Sequence, residues 1–152
     1  MTNLVFRAAT RDDLPAMIVL IADDQLGQAR DDARLPLDQR YVDAFTAIER
    51  DANQLLVAVE QAGAVIGCLQ ITFIPGISRR GAWRGQIESV RVARAKRGAG
   101  LGTAMFEWAI AECRRRGCNL VQLYTDKSRT DAHRFYERLG FKASHEGMKL
   151  TL

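Results

Sequence analysis

The residues best suited to chemistry lie in one stretch, 86–103, where a strand-like run leads through a basic segment into three closely spaced glycines. Gly98, Gly100 and Gly102 are the three, and a helical pattern begins at Leu101. Glycine lets the backbone approach a ligand closely, and the first N–H groups of a helix have no intrahelical partner. This order of residues therefore predicts an anion site, with a phosphate as the expected occupant.

The glycine spacing excludes two common phosphate-binding motifs. A dinucleotide fingerprint, GxGxxG, needs a glycine where this chain has Thr103. It also belongs in the first βα unit, with an acid about 20 residues further on, whereas this motif lies two-thirds along the chain. A P-loop needs a GKS or GKT ending, which is missing here. What remains is the pattern Arg97-x-x-Gly100-x-Gly102 between a strand and a helix.

At these residues the sequence resembles the GNAT family of N-acetyltransferases, whose acyl-CoA motif is Gln/Arg-x-x-Gly-x-Gly/Ala between the fourth strand and the third helix. A second segment, 132–141 with the sequence AHRFYERLGF, resembles the fourth helix of that family and its exit. The resemblance in element order covers nearly the whole chain. It implies acetyl-CoA as the co-substrate, with no metal.

The resemblance also implies which residues hold acetyl-CoA. Backbone N–H groups of the glycine loop would bind the pyrophosphate, and two valines of the preceding strand would offer backbone groups to the pantetheine arm. Many members have Asn where this chain has Arg129, and an arginine there could reach a phosphate. The predicted cofactor-binding residues are Val90, Val92, Arg97, Gly98, Ala99, Gly100, Leu101, Gly102, Thr103 and Arg129.

Two side chains are candidates for catalysis. An alkylamine has a pKa of about 10.4 and is mostly protonated at pH 7, so acetyl transfer to its nitrogen needs a proton acceptor. Glu88 is the only carboxylate in its strand and would act directly or through a water. Tyr136 matches the tyrosine that serves the family as general acid. The alternatives are a half-buried Glu88 paired with an arginine and a Tyr136 that only fills the core.

The three cysteines, Cys68, Cys113 and Cys118, show neither zinc-ligand spacing nor an even count, so we expect reduced core thiols. Cys68 as a covalent nucleophile would need a base that the sequence does not show. No apolar run is long enough to cross a membrane, and we expect a cytoplasmic protein. Lys and Arg outnumber Asp and Glu by 22 to 18, which suits an anionic ligand, and no nucleic-acid-binding signature accompanies this excess.

The hydrophobic pattern predicts a single domain over residues 1–152, with a mixed α/β sheet that is mostly antiparallel and splayed, flanked by about four helices. The strand Gln86–Val92 changes phase, which predicts a bulge near Glu88 or Ser89. An acidic loop covers residues 23–36 and is either functional or a solvated connection. The predicted strands are 4–8, 55–60, 65–73, 86–92 and 119–125, with one or two closing strands over 141–152; the predicted helices are 14–21, 37–48, 101–116 and 132–139.

Together these features predict an acetyl-CoA-dependent N-acetyltransferase that moves the acetyl group directly to an amine of a small molecule or peptide. The acidic loop, with Asp23, Asp24, Asp31 and Asp32, could attract a cationic acceptor. The alternative is a non-catalytic acyl-CoA-binding or regulatory module with the same fold. Members of the family often form dimers, so the resemblance leaves a homodimer open. The sequence does not identify the amine.

Overall fold

A five-stranded mixed sheet forms the centre of the structure, a computed structural model that describes residues 3–152. The strand order is β1-β2-β3-β4-β5; the first four strands are antiparallel neighbours and β5 runs parallel to β4. This confirms the predicted mixed, mostly antiparallel sheet. The strands are β1 Leu4–Ala8, β2 Gln54–Gln61, β3 Ala64–Ile74, β4 Trp83–Val92 and β5 Cys118–Gln122.

Four helices of nine residues or more flank the sheet, and a fifth, α3, is a single short turn. Thr10 and Asp13 form a capping box ahead of α1. Gly117 follows α4 at a φ of 82°, a left-handed conformation that glycine adopts without strain. The helices are α1 Leu14–Ala22, α2 Gln39–Arg50, α3 Ser78–Gly81, α4 Leu101–Arg115 and α5 Thr130–Arg138.

The two faces of the sheet bury different helices, because alternate side chains of a strand point in opposite directions. Val59 of β2 is fully buried in one cluster with Met105 of α4. Leu56 of the same strand packs on the other face, where Met17 of α1 lies against Cys68 of β3. The sheet is therefore covered on both faces, with α4 on one and α1 on the other.

An ion-pair cluster joins β1 to the start of α1. The Arg7 guanidinium lies 2.7 Å from an oxygen of Asp13 and 2.9 Å from an oxygen of Glu60. Asp13 is 8% exposed and also accepts hydrogen bonds from the backbone and hydroxyl of Thr10. The Arg7 guanidinium lowers the pKa of Asp13 to about 2, and the Thr10 hydrogen bonds act in the same direction against the opposing effect of burial.

Two strand predictions need correction. β5 ends at Gln122 rather than Thr125, because its pairing with β4 stops there. The predicted closing strands over 141–152 are wrong for the chain by itself: within residues 3–152, no strand is assigned beyond β5. The segment still alternates as a strand does, and its apolar side chains Met148, Leu150 and Leu152 are 95%, 86% and 112% exposed.

Candidate active site

A bulge in β4 lies at the position that the sequence pattern predicts. Gln70 of β3 pairs with Glu88, while Cys68 pairs with Arg91, so two residues of β4 stand opposite one residue of β3. Ser89, one of the two, has a φ of 54°, a left-handed conformation that is unusual for a residue with a side chain. The bulge turns the end of β4 away from its earlier course.

β4 and β5 separate just before this bulge. Their last paired residues are Gln86 and Gln122, whose side chains also join through an amide hydrogen bond of 2.9 Å. We call the space between residues 87–92 of β4 and residues 123–125 the cleft. Neither side of the cleft has its backbone paired across it in the described part of the chain. The predicted splayed sheet is therefore present.

The backbone of Val90 and Val92 faces this cleft. The Ala93 N–H donates to the Ile66 carbonyl of β3 at 2.8 Å, so the alternate positions direct their N–H and C=O groups away from β3. Both valine carbonyls have arginine donors, Arg91 Nη1 to Val90 at 2.9 Å and Arg97 Nε to Val92 at 3.1 Å. The valine N–H groups point away from β3, toward the cleft.

The glycine loop surrounds a cavity of about 330 Å³ at the start of α4. Gly100, the N-cap residue, has a φ of 81° and the next helical N–H groups lack intrahelical partners. The Gly100 carbonyl accepts from the Ala104 N–H at 3.1 Å, which fixes the start of the helix under the cavity. The cavity is lined by Val92, Lys96, Arg97, Gly98, Gly100, Leu101, Gly102, Thr103 and Phe135.

Two of these lining residues were not among the predicted cofactor residues. Lys96 belongs to the basic segment that precedes the glycines, and that charge could have indicated it. Phe135 lies on the apolar stripe of α5, and its ring stands 3.6 Å from where a side chain on Gly102 would begin. Nothing in the sequence distinguishes a residue of an apolar helix face that lines a cavity from one that fills the core. Val90 and Ala99, by contrast, do not line the cavity itself.

The arginines of the loop are paired with an acid from the end of α1. Asp23 lies 2.7 Å from Arg94 and 3.2 Å from Arg97. Its neighbour Asp24 lies 2.8 Å from Arg91, an ion pair in which both side chains are at most 20% exposed. Arg91 also has a buried Nε without a hydrogen-bond partner. A phosphate ligand of Arg97 would have to share that guanidinium with Asp23.

The remaining acids of the 23–36 loop are also engaged. Asp31 accepts a hydrogen bond from the Tyr41 hydroxyl at 2.9 Å, and Asp32 pairs with Arg34. A second cavity, of about 360 Å³, lies beside this loop and is lined by such paired residues. Since each carboxylate already has a positive or N–H/O–H partner, the loop offers no free acid to a cationic acceptor.

Glu88 is exposed, and the side chain makes no ion pair or hydrogen bond within residues 3–152. The alternative of a half-buried Glu88 held by an arginine does not apply. The residue lies at the bulge, where β4 leaves β5, with its carboxylate available to a proton. Its free carboxylate and its place at the mouth of the cleft fit a base.

Tyr136 on α5 is half-buried in a cluster of aromatic rings, 5.5 Å from Phe106, 5.6 Å from Phe135 and 6.2 Å from Phe141 between ring centres. Burial raises the pKa of the Tyr136 hydroxyl, while the positive charges of Arg129 and Arg91 act in the opposite direction. The ring packs as a core residue, yet its hydroxyl stays protonated at neutral pH.

Arg129 immediately precedes α5 as its N-cap residue and is exposed. Its positive charge opposes the burial that raises the pKa of Tyr136, which follows about two helical turns later on α5. In the structure it makes no hydrogen bond to the glycine loop, and its predicted contact with a cofactor phosphate remains a prediction.

The cysteines are free thiols, as predicted. Cys68 is 1% exposed, and its burial raises the pKa of the thiol to about 12. A thiol of this kind is almost entirely uncharged at neutral pH, which argues against a covalent route through Cys68. No cluster of three or more metal-ligating side chains occurs in the part of the chain that the structure describes. Among the described helices, none has the length and apolar content needed to span a membrane.

A profile of the acetyltransferase (GNAT) family matches residues 17–141, which span the cleft, the glycine loop and Tyr136. The chain belongs to the GNAT acetyltransferase family. Membership makes the protein an acyltransferase, and it accounts for the arrangement of strand, glycine loop and helix around the cavity. The expected family and fold are thereby confirmed.

Three similar proteins illustrate the range of this GNAT chain's relatives. The aminoalkylphosphonate N-acetyltransferase of Salmonella typhimurium is 34% identical over 70% of this chain and 69% of its own length. The glucosamine 6-phosphate N-acetyltransferase of Trypanosoma brucei brucei is 34% identical over 61% of each chain. A solved structure described as a transcriptional regulator from Bacillus halodurans is 46% identical, with a TM-score of 0.95 over 99% of this chain and all of that one.

Proposed function

We propose that this protein transfers the acetyl group of acetyl-CoA directly to the primary amine of a small molecule. The observation that carries the proposal is that Val92 belongs both to the glycine-framed cavity and to the β4 side of the cleft. The cavity at the start of α4 suits a pyrophosphate, and the cleft between β4 and β5 suits the arm that reaches from it.

The residues present fit coenzyme A. Left-handed Gly100 presents the first N–H groups of α4, which carry the positive end of the helix dipole. Lys96 and Arg97 add positive charge at the same cavity. The N–H groups of Val90 and Val92 would pair with the amide groups of the pantetheine arm as a neighbouring strand would. Acetyl-CoA, when bound, supplies the thioester that is attacked.

Glu88 would take the proton from the acceptor ammonium, directly or through a water, so that the amine nitrogen becomes nucleophilic. The neutral amine would then attack the thioester carbonyl. The backbone N–H of Val90 faces the cleft at that point and would stabilise the negative charge that develops on the carbonyl oxygen. An exposed carboxylate without a cation beside it is free to accept a proton and release it to solvent.

As the C–S bond breaks, Tyr136 would donate its hydroxyl proton to the departing CoA sulfur, and the proton that the new C–N bond leaves on the nitrogen would return to the phenolate, so the protons balance. Because burial raises its pKa, the hydroxyl holds its proton across the neutral range, and the nearby Arg91 and Arg129 would stabilise the phenolate that forms when the proton leaves. The protonated Cys68 leaves direct transfer as the simpler route.

The acceptor class follows from the relatives and from the charges at the cleft. Two relatives are named for amines that carry a phosphonate or a phosphate. Arg129 begins α5 about two helical turns before Tyr136, is exposed and makes no ion pair within residues 3–152, so it would offer positive charge on the side of the cleft that Tyr136 lines. An amine with an anionic group a few bonds from its nitrogen is therefore the acceptor that we expect.

The test is a panel of matched amines incubated with acetyl-CoA, with acetylated product detected by mass spectrometry. Aminoalkylphosphonates and amino-sugar phosphates are compared with the same amines lacking the phosphorus group. Product formation that prefers the phosphorus-bearing member of each pair is the expected result. Binding of acetyl-CoA without product from any amine would instead indicate a regulatory module.

Glu88→Gln tests the base, with Glu107→Gln as the matched control. Glu107 is an exposed carboxylate on α4, and it plays no part in the proposed chemistry. General-base catalysis contributes about 10²–10⁴-fold to a rate, so Glu88→Gln should lower kcat/KM by at least about a hundredfold at pH 7. Equal activity in the two variants would remove Glu88 from this role.

A further inference from the structure

One ion pair beside the bulge is less exposed than any other in residues 3–152. Arg91 of β4 lies 2.8 Å from Asp24, which follows α1, and the two side chains are 14% and 20% exposed. Every other ion pair in that range has at least one side chain that is 33% or more exposed. Taking two charges out of water is costly, so a pair of this kind is a weak source of stability. Its position next to the bulge points to a role at the site instead.

The Arg91 guanidinium also holds the backbone of the residue before it. Its Nη1 donates to the Val90 carbonyl at 2.9 Å, while its Nη2 faces Asp24. Hydrogen bonds from a charged donor are stronger than those between neutral groups. The Nε of Arg91 is buried without a partner, so these two contacts orient the side chain at the expense of a third hydrogen bond. The Val90 carbonyl faces the cleft, where β5 offers it no pairing.

This contact matters because Val90 also carries the N–H group that is proposed to bind the thioester carbonyl. In a strand the N–H and C=O groups of one residue lie on the same side, so a fixed Val90 carbonyl also fixes the direction of the Val90 N–H. Ser89, just before it, has a φ of 54°, and its carbonyl lies 3.8 Å from the Cys68 thiol, which is a weak donor. The Arg91 guanidinium is therefore the strong side-chain contact on the bulge.

Asp24 is a rigid anchor for this guanidinium. Its carboxylate accepts a hydrogen bond from the Gly27 N–H, and its carbonyl accepts one from the Gln28 N–H at 3.0 Å. Gly27 is buried, and a Cβ on it would overlap the Ile21 carbonyl, so the turn after α1 is closely packed. The start of the 23–36 loop is thus joined to the bulge through the Asp24–Arg91 pair.

We propose that Arg91, held by Asp24, is a positioning residue that directs the Val90 N–H toward the carbonyl oxygen of the thioester. The inference rests on the proposed acetyl transfer, and it gives both side chains a role without contact to the reacting atoms. A donor stabilises the oxyanion only when it is aimed at the oxygen that becomes charged, and a displacement of about 1 Å can cost about 10²-fold in rate. Loss of the guanidinium would therefore affect kcat more than the affinity for acetyl-CoA.

The first test compares Arg91→Met with Arg7→Met. Both changes remove an arginine from a part-buried ion pair, but Arg7 lies on β1 and joins Asp13 and Glu60. We expect Arg91→Met to lower kcat about 10- to 100-fold, while the dissociation constant for acetyl-CoA changes less than about threefold. Arg7→Met should lose stability in urea unfolding and keep its kcat. An unchanged kcat in Arg91→Met, or equal losses of kcat in the two variants, would overturn the proposal.

Asp24→Asn tests the anchor with a milder change, since asparagine keeps the shape of the side chain and loses the charge. It should lower kcat by a smaller factor than Arg91→Met. The double variant Asp24→Asn/Arg91→Met should be no slower than Arg91→Met alone, because Asp24 acts through Arg91. The effect of Arg91→Met should also persist in a Tyr136→Phe background. Losses that multiply in the double variant, or an effect that disappears without the Tyr136 hydroxyl, would refute the positioning role.

Hydrogen exchange separates a failure of this inference from a failure of the proposed function. Exchange of residues 86–93 in the free protein should be faster in Arg91→Met than in the wild type or in Arg7→Met, whether or not any amine is acetylated. Faster exchange without product from any amine would support the contact between Arg91 and the bulge and reject the proposed transfer. Exchange of residues 86–93 that is equal in Arg91→Met and Arg7→Met would refute the contribution of Arg91 to the bulge itself.

Discussion

Replacing Gly100 by Ala provides a direct test of the anion site, because a second glycine in the chain supplies a strain-matched control. Gly100 begins α4 at a φ of 81°, and Gly117 follows the same helix at a φ of 82°. A left-handed conformation costs a residue with a side chain about 1–2 kcal/mol. A Cβ on Gly117 would meet nothing within 4 Å, so Gly117→Ala should show the strain alone. Both variants should thus lose similar stability.

Only Gly100→Ala should also lose cofactor affinity. Alanine at this position would favour a negative φ, and the change in backbone direction would reorient the N–H groups of Leu101 and Gly102. A hydrogen bond to a charged group is worth about 1.5–3 kcal/mol, so the loss of one would weaken acetyl-CoA binding about 10- to 100-fold. Gly117→Ala, at the other end of the 15-residue helix, should bind as the wild type does.

Isothermal titration calorimetry with acetyl-CoA measures the affinities, and urea unfolding without ligand measures the stabilities. The comparison matters more than either variant alone, because general destabilisation would affect both. Equal acetyl-CoA affinities for Gly100→Ala and Gly117→Ala would refute the assignment of the cavity to the pyrophosphate.

Three further predictions concern single side chains. Tyr136→Phe should lower kcat about 10²-fold or more while leaving acetyl-CoA affinity nearly unchanged, because only the hydroxyl is lost. An unchanged kcat would make Tyr136 a core residue only. Cys68→Ala should retain kcat, since the buried thiol stays protonated; a fall like that of Tyr136→Phe would indicate a covalent route. Asp13→Asn should lower the free energy of unfolding by about 2 kcal/mol at pH 7, because the folded state lowers the pKa of Asp13 from 3.8 to about 2. This stabilisation is present above about pH 4 and is lost as the pH falls toward 2. Urea unfolding at several pH values should therefore show the stabilities of the wild type and the variant converging in acid.

Local signals in the sequence were enough to predict most elements of the fold. The helical apolar period of residues 14–21 predicts α1, and the apolar runs rich in β-branched residues over 55–60 and 65–73 predict a hairpin; the structure confirms α1 and the β2–β3 hairpin. The phase change in β4 also predicted the bulge correctly, since the side-chain period of a strand permits no other way to keep both apolar sets buried.

The closing strands failed for a different reason. The alternation in residues 148–152 is a real strand pattern, but a strand needs a neighbour, and local sequence does not say which edge supplies it. The roles of the acids in the 23–36 loop were missed likewise. Asp23 and Asp24 meet arginines about 70 residues away, and the composition of a loop does not reveal such partners.

Candidate site residues were predictable where the backbone imposes the residue type. The glycines of the loop are of this kind, because few other residues begin a helix at a positive φ. The backbone does not impose the residue type at Lys96 or Phe135, since a surface lysine and an aromatic residue on an apolar helix face suit many positions. Their presence at the cavity depends on how α5 packs against α4, which is a property of the tertiary structure.

The Asp23 carboxylate has a bearing on selectivity among anions. It already pairs with Arg94 and Arg97, so any anion that binds these arginines must displace or share an existing partner at 2.7 and 3.2 Å. At the proposed pyrophosphate site, a lone inorganic phosphate would gain little by this exchange. A diphosphate would bring more charge and reach the N–H groups of α4 at the same time. In that proposal Asp23 would be an internal competitor that disfavours small anions in the loop.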